Sequence, residues 1–259
     1  MSKGSKSKSW QPATVAVHGT GKRRKAYNAV STPIVQTSNY SFESTSEVWE
    51  FMTAKAEGRI IREHEYGRYF NPTQQEVERK LAAIEGAERA IMFSSGMSAL
   101  ILTVLAYVKK GGHVVFTNDC YRQTRDFANN WLTKFGIEST FVDPSPEAIE
   151  QAIRPNTNII FTELPTNPFL RVLNLPAIVK VAKRHKLLTV VDPTLATPYN
   201  IRPLEMGADI VVQSATKYLG GHNDLVAGVA LGGHALLEDL NKLERMVGAT
   251  PGPLTCFLL

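Results

Sequence analysis

Cysteine is scarce in this chain of 259 residues, which carries two, Cys120 and Cys256, without paired spacing. Thiols so placed make neither a disulfide framework nor a zinc site, and they fit a reducing, cytoplasmic setting. The six histidines fall into no metal-ligand spacing. No apolar run is long enough to span a membrane and no signal-peptide core is present, which sets aside membrane and secreted classes. Internal repeats are lacking too. The net charge of +5 and the run Lys22-Arg23-Arg24-Lys25 would suit nucleic acid, but aromatic interleaving and any nucleic-acid module are missing. A basic surface suits anionic substrates and cofactors equally well.

With 43% hydrophobic residues the chain can bury a sizeable core. Short β-branched runs alternate with longer amphipathic stretches. That alternation predicts an α/β fold with a mainly parallel sheet covered by helices on both faces. Helices are predicted over 73–85, with Val77, Leu81 and Ile84 on one face, and over 175–185. Loops are predicted at Asn118–Tyr121 and Asp143–Pro146. Residues 1–9, rich in Ser, Lys and Gly, read as a disordered tail.

The most informative stretch runs from Asp209 to Gly228. A short apolar strand, Ile210 to Val212, leads into Ser214, Thr216 and Lys217, then into a loop with Gly220 and Gly221. Burial of a lysine at a strand end favours its neutral amine, the form that attacks a carbonyl cofactor. The neighbouring hydroxyls can donate to a phosphate. This pattern points to a pyridoxal phosphate (PLP) anchor with Lys217 as the Schiff-base residue; a solvated lysine at a strand end is the plainer alternative. His222 in the same loop reads as structural.

Other segments supply the remaining parts. The strand 187–191 ends in Asp192, whose carboxylate can pair with a protonated pyridine nitrogen, or simply cap a turn. The strand 90–93 runs through Ser94-Ser95-Gly96-Met97-Ser98 into an apolar helix predicted over 99–108. Small residues there let backbone N–H groups approach a phosphate. Tyr121, after the strand 114–116, can stack on a cofactor ring or join the core. Strand carboxyl ends converging on one crevice are where ligands bind in open α/β sheets.

These segments resemble the PLP-dependent Cys/Met metabolism (transsulfuration) family, in its plant-type cystathionine γ-synthase branch. The resemblance rests on Glu65-Tyr66-Gly67-Arg68-Tyr69, Asn71-Pro72-Thr73, Leu81 to Ala87, Ser95-Gly96-Met97 and Asp119-Cys120-Tyr121-Arg122-Gln123-Thr124-Arg125. It continues through Pro165-Thr166-Asn167-Pro168-Phe169-Leu170-Arg171, Ala196-Thr197-Pro198 and Gly207 to Gly228. It implies the large domain of the aspartate aminotransferase-like fold (fold type I) over 61–259, preceded by an N-terminal arm over 1–60.

The resemblance also implies roles. Lys217 would hold PLP and shuttle protons, Asp192 would bind the pyridine nitrogen and Tyr121 would stack on the ring. Ser214, Thr216 and the backbone of Gly96 and Met97 would hold the phosphate. Asn167 would lie near the cofactor's O3′, with Glu163 close to the substrate. Tyr66 and Arg68 would reach the phosphate of a neighbouring subunit, so each site would need two chains of a homo-oligomer, a dimer-built tetramer. The implied reaction is γ-replacement of an O-activated homoserine by cysteine to give cystathionine. O-acylhomoserine sulfhydrylase, cystathionine γ- or β-lyase and methionine γ-lyase are the alternatives; a non-catalytic PLP-binding protein is the rival of another class. Pro193 and Phe70 depart from the family's usual Asn or Gly and Gly. The family continues beyond the position of Leu259 into a C-terminal domain that holds the substrate carboxylate; the chain reads as a fragment, as a split-gene product with a separate C-terminal-domain polypeptide as partner, or as a degenerate copy.

Overall fold

The computed structural model describes residues 11–18 and 25–259; the tail 1–9 and residues 22–24 of the basic run lie outside them. In chain order the elements are α1 (Pro12–His18), α2 (Thr45–Ala56), α3 (Pro72–Glu85), β1 (Arg89–Phe93), α4 (Gly96–Tyr107), β2 (His113–Thr117), α5 (Arg122–Asn130), β3 (Glu138–Val142), α6 (Pro146–Gln151) and β4 (Thr157–Glu163). They continue with α7 (Leu175–Arg184), β5 (Leu188–Asp192), α8 (Thr197–Asn200), β6 (Ile210–Gln213), β7 (Gly228–Gly232), α9 (Glu238–Val247) and α10 (Pro253–Leu258).

The strands form one sheet in the order β1-β7-β6-β5-β4-β2-β3. Strands β2 to β6 pair in parallel, and β7 runs antiparallel to both of its neighbours, β1 and β6. The carboxyl ends of β1 to β6 therefore lie along one edge of the sheet.

Side chains along a strand alternate between the two faces, and the core follows that period. Phe93, Phe116, Phe161, Val190 and Val212 are buried on one face with Leu100 and Val104 of α4 and Leu240 of α9. Their strand neighbours Val115, Ile160 and Val191 turn the other way, against Ile149 of α6 and Ile178 of α7. Met92 and Val211 do the same against Val77 and Leu81 of α3. Helices thus cover both faces, as the alternation of segments predicts. Each fully buried aliphatic or aromatic side chain contributes about 1.5–3 kcal/mol.

Local chemistry sets the helix ends that matter for the site. Asn71 caps α3 by accepting from the N–H groups of Thr73 and Gln74, Pro72 occupies the first turn, and Gly86 closes the helix in the left-handed region at φ 77°. The preceding segment is tied to this helix: Val35 N donates to Thr73 Oγ1 at 2.9 Å and Asn71 Nδ2 donates to Val35 O at 2.7 Å. The helix predicted from residue 99 begins three residues earlier, at Gly96, because the Ser95 hydroxyl caps it by accepting from Ser98 N. Gly96-Met97-Ser98 are consequently its first turn and not a loop. No helix among the described residues is long and apolar enough to cross a membrane.

Candidate active site

A cleft of about 260 Å³ opens at the carboxyl edge of the sheet. Its walls bring together Gly96, Met97, Tyr121, Glu163, Asn167, Asp192, Ser214, Thr216 and Lys217 from five segments distant in sequence. Strand parity explains the convergence. Glu163, Asp192 and Ser214 each follow by two residues a side chain of the α4-facing core, namely Phe161, Val190 and Val212. They point to that same face, where the N-terminus of α4 lies.

Glu163 and Asp192 are Cα partners in the parallel register of β4 and β5. Neither has an ion-pair partner among the described residues. Glu163 Oε1 accepts from Tyr121 N at 2.6 Å. Burial, and then the Asp192 charge, push the Glu163 carboxyl up to about 8. Burial likewise pushes Asp192 up to about 6, against the opposing pull of its hydrogen bonds from Thr194. Those bonds come from Thr194 N at 2.9 Å and Thr194 Oγ1 at 2.5 Å, and both fall on Oδ1. Thr194 also lines the cleft, a functional residue that the sequence alone marks only weakly. Its signal was an Asp-Pro-Thr turn directly after an apolar strand.

At the opposite end of the cleft two glycines allow close backbone approach. A Cβ on Gly96 would stand 2.7 Å from Ser214 Cα, and a Cβ on Gly228 would stand 2.1 Å from Ser95 O. The β1–α4 turn is thereby pressed against the end of β6. The N–H groups of Gly96 and Met97, in the first turn of α4, have no intrahelical acceptor. The Thr216 hydroxyl is already engaged: it donates to Ala227 O at 3.1 Å and accepts from Ala227 N at 3.0 Å. In this arrangement it pins the Lys217 turn to the start of β7.

Lys217 requires a correction. Its side chain is exposed, not buried. The reason is local: β6 ends at Gln213 and a turn carries Lys217 four residues beyond it, to the mouth of the cleft. The claim of Lys217 on the site rests on position. Tyr121 is 48% exposed and belongs to the rim, not to the core. Asn167 is half-buried, and its N–H donates to Asp119 O at 3.4 Å. The buried Asp119 carboxylate accepts from Arg171 Nε at 2.6 Å. This pair ties the loop bearing Asn167 to the loop bearing Tyr121. His222 Nδ1 lies 2.9 Å from Gly220 O, in keeping with a structural role.

Tyr66 and Arg68 are not brought to the cleft. Arg68 donates to the carbonyl of Arg245, and its guanidinium lies over the rings of Tyr66 and Tyr69 at 5.5 and 4.9 Å. Tyr66 is paired through an isolated bridge to Asn39. Phe70 lies beneath the Arg245 guanidinium at 4.2 Å.

An α/β sheet with a small-ligand cleft at its carboxyl edge is the class the geometry defines. The Cys/Met metabolism PLP-dependent enzyme family model matches residues 13–259, and the chain belongs to that family. Cystathionine gamma-synthase 1, chloroplastic, of Arabidopsis thaliana is 43% identical over 234 residues, which are 90% of this chain and 41% of that protein. L-methionine gamma-lyase of Porphyromonas gingivalis is 38% identical over 251 residues, 95% of this chain and 61% of the relative. The crystal structure of cystathionine gamma-lyase from Lactobacillus plantarum complexed with L-serine superposes with a TM-score of 0.86 at 33% identity, covering 96% of this chain and 62% of that one. The chain thus spans between two fifths and about three fifths of the length of these relatives.

The cleft residues fit the family's cofactor, PLP. Two adjacent carboxyls without a cation, one buried and one partly open to the cleft, suit a protonated ring nitrogen, and a helix N-terminus beside a free serine hydroxyl suits a phosphate.

Proposed function

We propose that the chain is the PLP-binding part of a transsulfuration enzyme, with 61–259 as its large domain and 1–60 as its arm, and that the reaction is cystathionine γ-synthesis. The observation that carries the reading is the meeting of Asp192, Ser214, the α4 N-terminus and Lys217 around one cleft. Relatives named for synthase and lyase activities align at comparable identity, so the family sets the chemistry and the substrate preference is the finer part of the proposal. The synthase is preferred because Arg122-Gln123-Thr124-Arg125 follows Tyr121 as in the plant-type pattern.

Bound PLP supplies an electron sink that lets a proton leave the substrate's α-carbon. The residues of this chain do the rest. Asp192 Oδ2, free of protein donors, would hold the proton of the ring nitrogen. The N–H groups of Gly96 and Met97 and the Ser214 hydroxyl would bind the phosphate oxygens. Tyr121 would cover the ring, and Asn167 would stand near Glu163 beside it. The Lys217 amine would anchor the cofactor and carry protons between neighbouring carbons of the substrate. The activated homoserine loses its γ-ester and gains cysteine sulfur at the same carbon. Tyr66 and Arg68 lie outside their own cleft, which suits service to the phosphate of a second chain in a homo-oligomer.

The test is the absorbance of the purified chain with PLP, before and after Lys217→Ala. A visible band that depends on Lys217 is expected; its persistence in the variant would overturn the anchor assignment. Adding O-succinyl- or O-phosphohomoserine with cysteine then asks for cystathionine. Loss of the γ-ester to an oxo acid with no cystathionine would favour a lyase.

A further inference from the structure

We propose that Thr194 is the positioning residue that couples the two ends of the cofactor cleft, by directing its hydroxyl proton to Asp192 while holding the backbone of Ser214. This rests on the PLP reading above. The direction of the bonds follows from donor chemistry. Ser214 N can only donate, and it lies 2.9 Å from Thr194 Oγ1, which must therefore accept. The one hydroxyl hydrogen is then left for Asp192 Oδ1, at 2.5 Å. The Thr194 N–H donates to the same oxygen at 2.9 Å. Two donors converge on Oδ1, and no protein donor reaches Oδ2. Any proton the carboxyl shares with a ligand is consequently confined to Oδ2, on the side open to the cleft.

The same hydroxyl fixes a distance. Asp192 sits at the end of β5 and Ser214 follows the end of β6, and these strands pair only at Val190↔Ile210 and Val191↔Val211. Beyond that pairing, Thr194 is the hydrogen-bonded link between the two strand ends. Ser214 in turn packs against Gly96, at the N-terminus of α4. A ring held by Asp192 and a phosphate held at Ser214 and Gly96 would thus be spaced by one side chain. Serine can repeat both bonds and valine, of the same shape, can make neither.

The experiment compares the chain with its Thr194→Val and Thr194→Ser variants, with two readouts. The first is the titration of Asp192 in the cofactor-free chain, followed by carboxyl carbon NMR and assigned with Asp192→Asn. The second is PLP affinity by fluorescence. For Thr194→Val the Asp192 midpoint should move up and PLP should bind about tenfold or more weakly, the loss of a hydrogen bond to a charged group. Thr194→Ser should restore both. An unchanged midpoint in Thr194→Val would overturn the proposal, as would a serine variant that behaves like valine while remaining folded by circular dichroism. If the wild-type chain takes no PLP, the functional reading fails instead, and the cofactor-free titration still decides the role of Thr194.

Discussion

Glu163 and Asp192 stand side by side at the ends of β4 and β5, a buried and a partly buried carboxyl in register with no cation between them. Burial acts first on both, and the Asp192 charge adds to the effect on Glu163, so one rises to about 8 and the other to about 6. Each binds its proton more tightly folded than unfolded. The stability they contribute is therefore complete in acid and drains away as pH rises, through about 6 for Asp192 and about 8 for Glu163. Denaturant titrations of the cofactor-free chain should show a falling unfolding free energy between about pH 4 and about pH 8. In Glu163→Gln the upper part of that decline should flatten. A decline unaltered by the substitution would count against the pairing.

A second proton-dependent contact lies on the other face of the sheet. Glu85 is fully buried, and Gln213 Nε2 donates to its Oε2 at 3.2 Å, while Oε1 of each residue lacks a partner. A protonated Glu85 can donate where the ionised form cannot, and burial pushes its carboxyl up to about 8. Stability from this group is full below about 4.5, its unfolded value, and lost as pH rises through about 8. Glu85→Gln should remove that loss, a gain on the order of a few kcal/mol at high pH, measured by urea unfolding at two pH values.

Gly228 gives a prediction about space. A side chain there would meet backbone atoms, Ser95 O at 2.1 Å and Gly96 N at 2.7 Å, which cannot swing aside. Gly228→Ala should destabilise the chain by about 1–3 kcal/mol and loosen the α4 N-terminus. Hydrogen exchange at Ser98 and Ala99, whose N–H groups donate to Ser95, should quicken. If exchange there is unchanged, the turn is not held by this approach.

Much of this was legible in the sequence, for a physical reason. The strand cores are β-branched or aromatic runs, so β1, β2, β5 and β6 lie within a residue or two of their predicted positions. Asp192 and Ser214 could be placed because a strand end fixes location, whereas Glu163 came only with the family resemblance. Lys217 shows the limit. Its distance past β6 depends on a turn held by Thr216 and Ala227, a contact between residues eleven apart, and the burial expected of it did not follow. Thr194 was missed for a similar reason. As a residue it is an ordinary turn threonine, and its meaning comes from Ser214, twenty positions away. The onset of α4 at Gly96 was hidden by small residues that read equally well as loop or first turn.

The alternation of strand faces constrains how such a site can change over time. Val191, immediately before Asp192, faces Ile178 among apolar neighbours. Inserting one residue into β5 would swap these orientations and deliver the carboxylate into that hydrophobic layer, whereas inserting two would return it to the cleft. The strand ends behave like a ratchet with two-residue teeth. Descendants of this chain can lengthen or shorten the strands that support its cleft only in even steps.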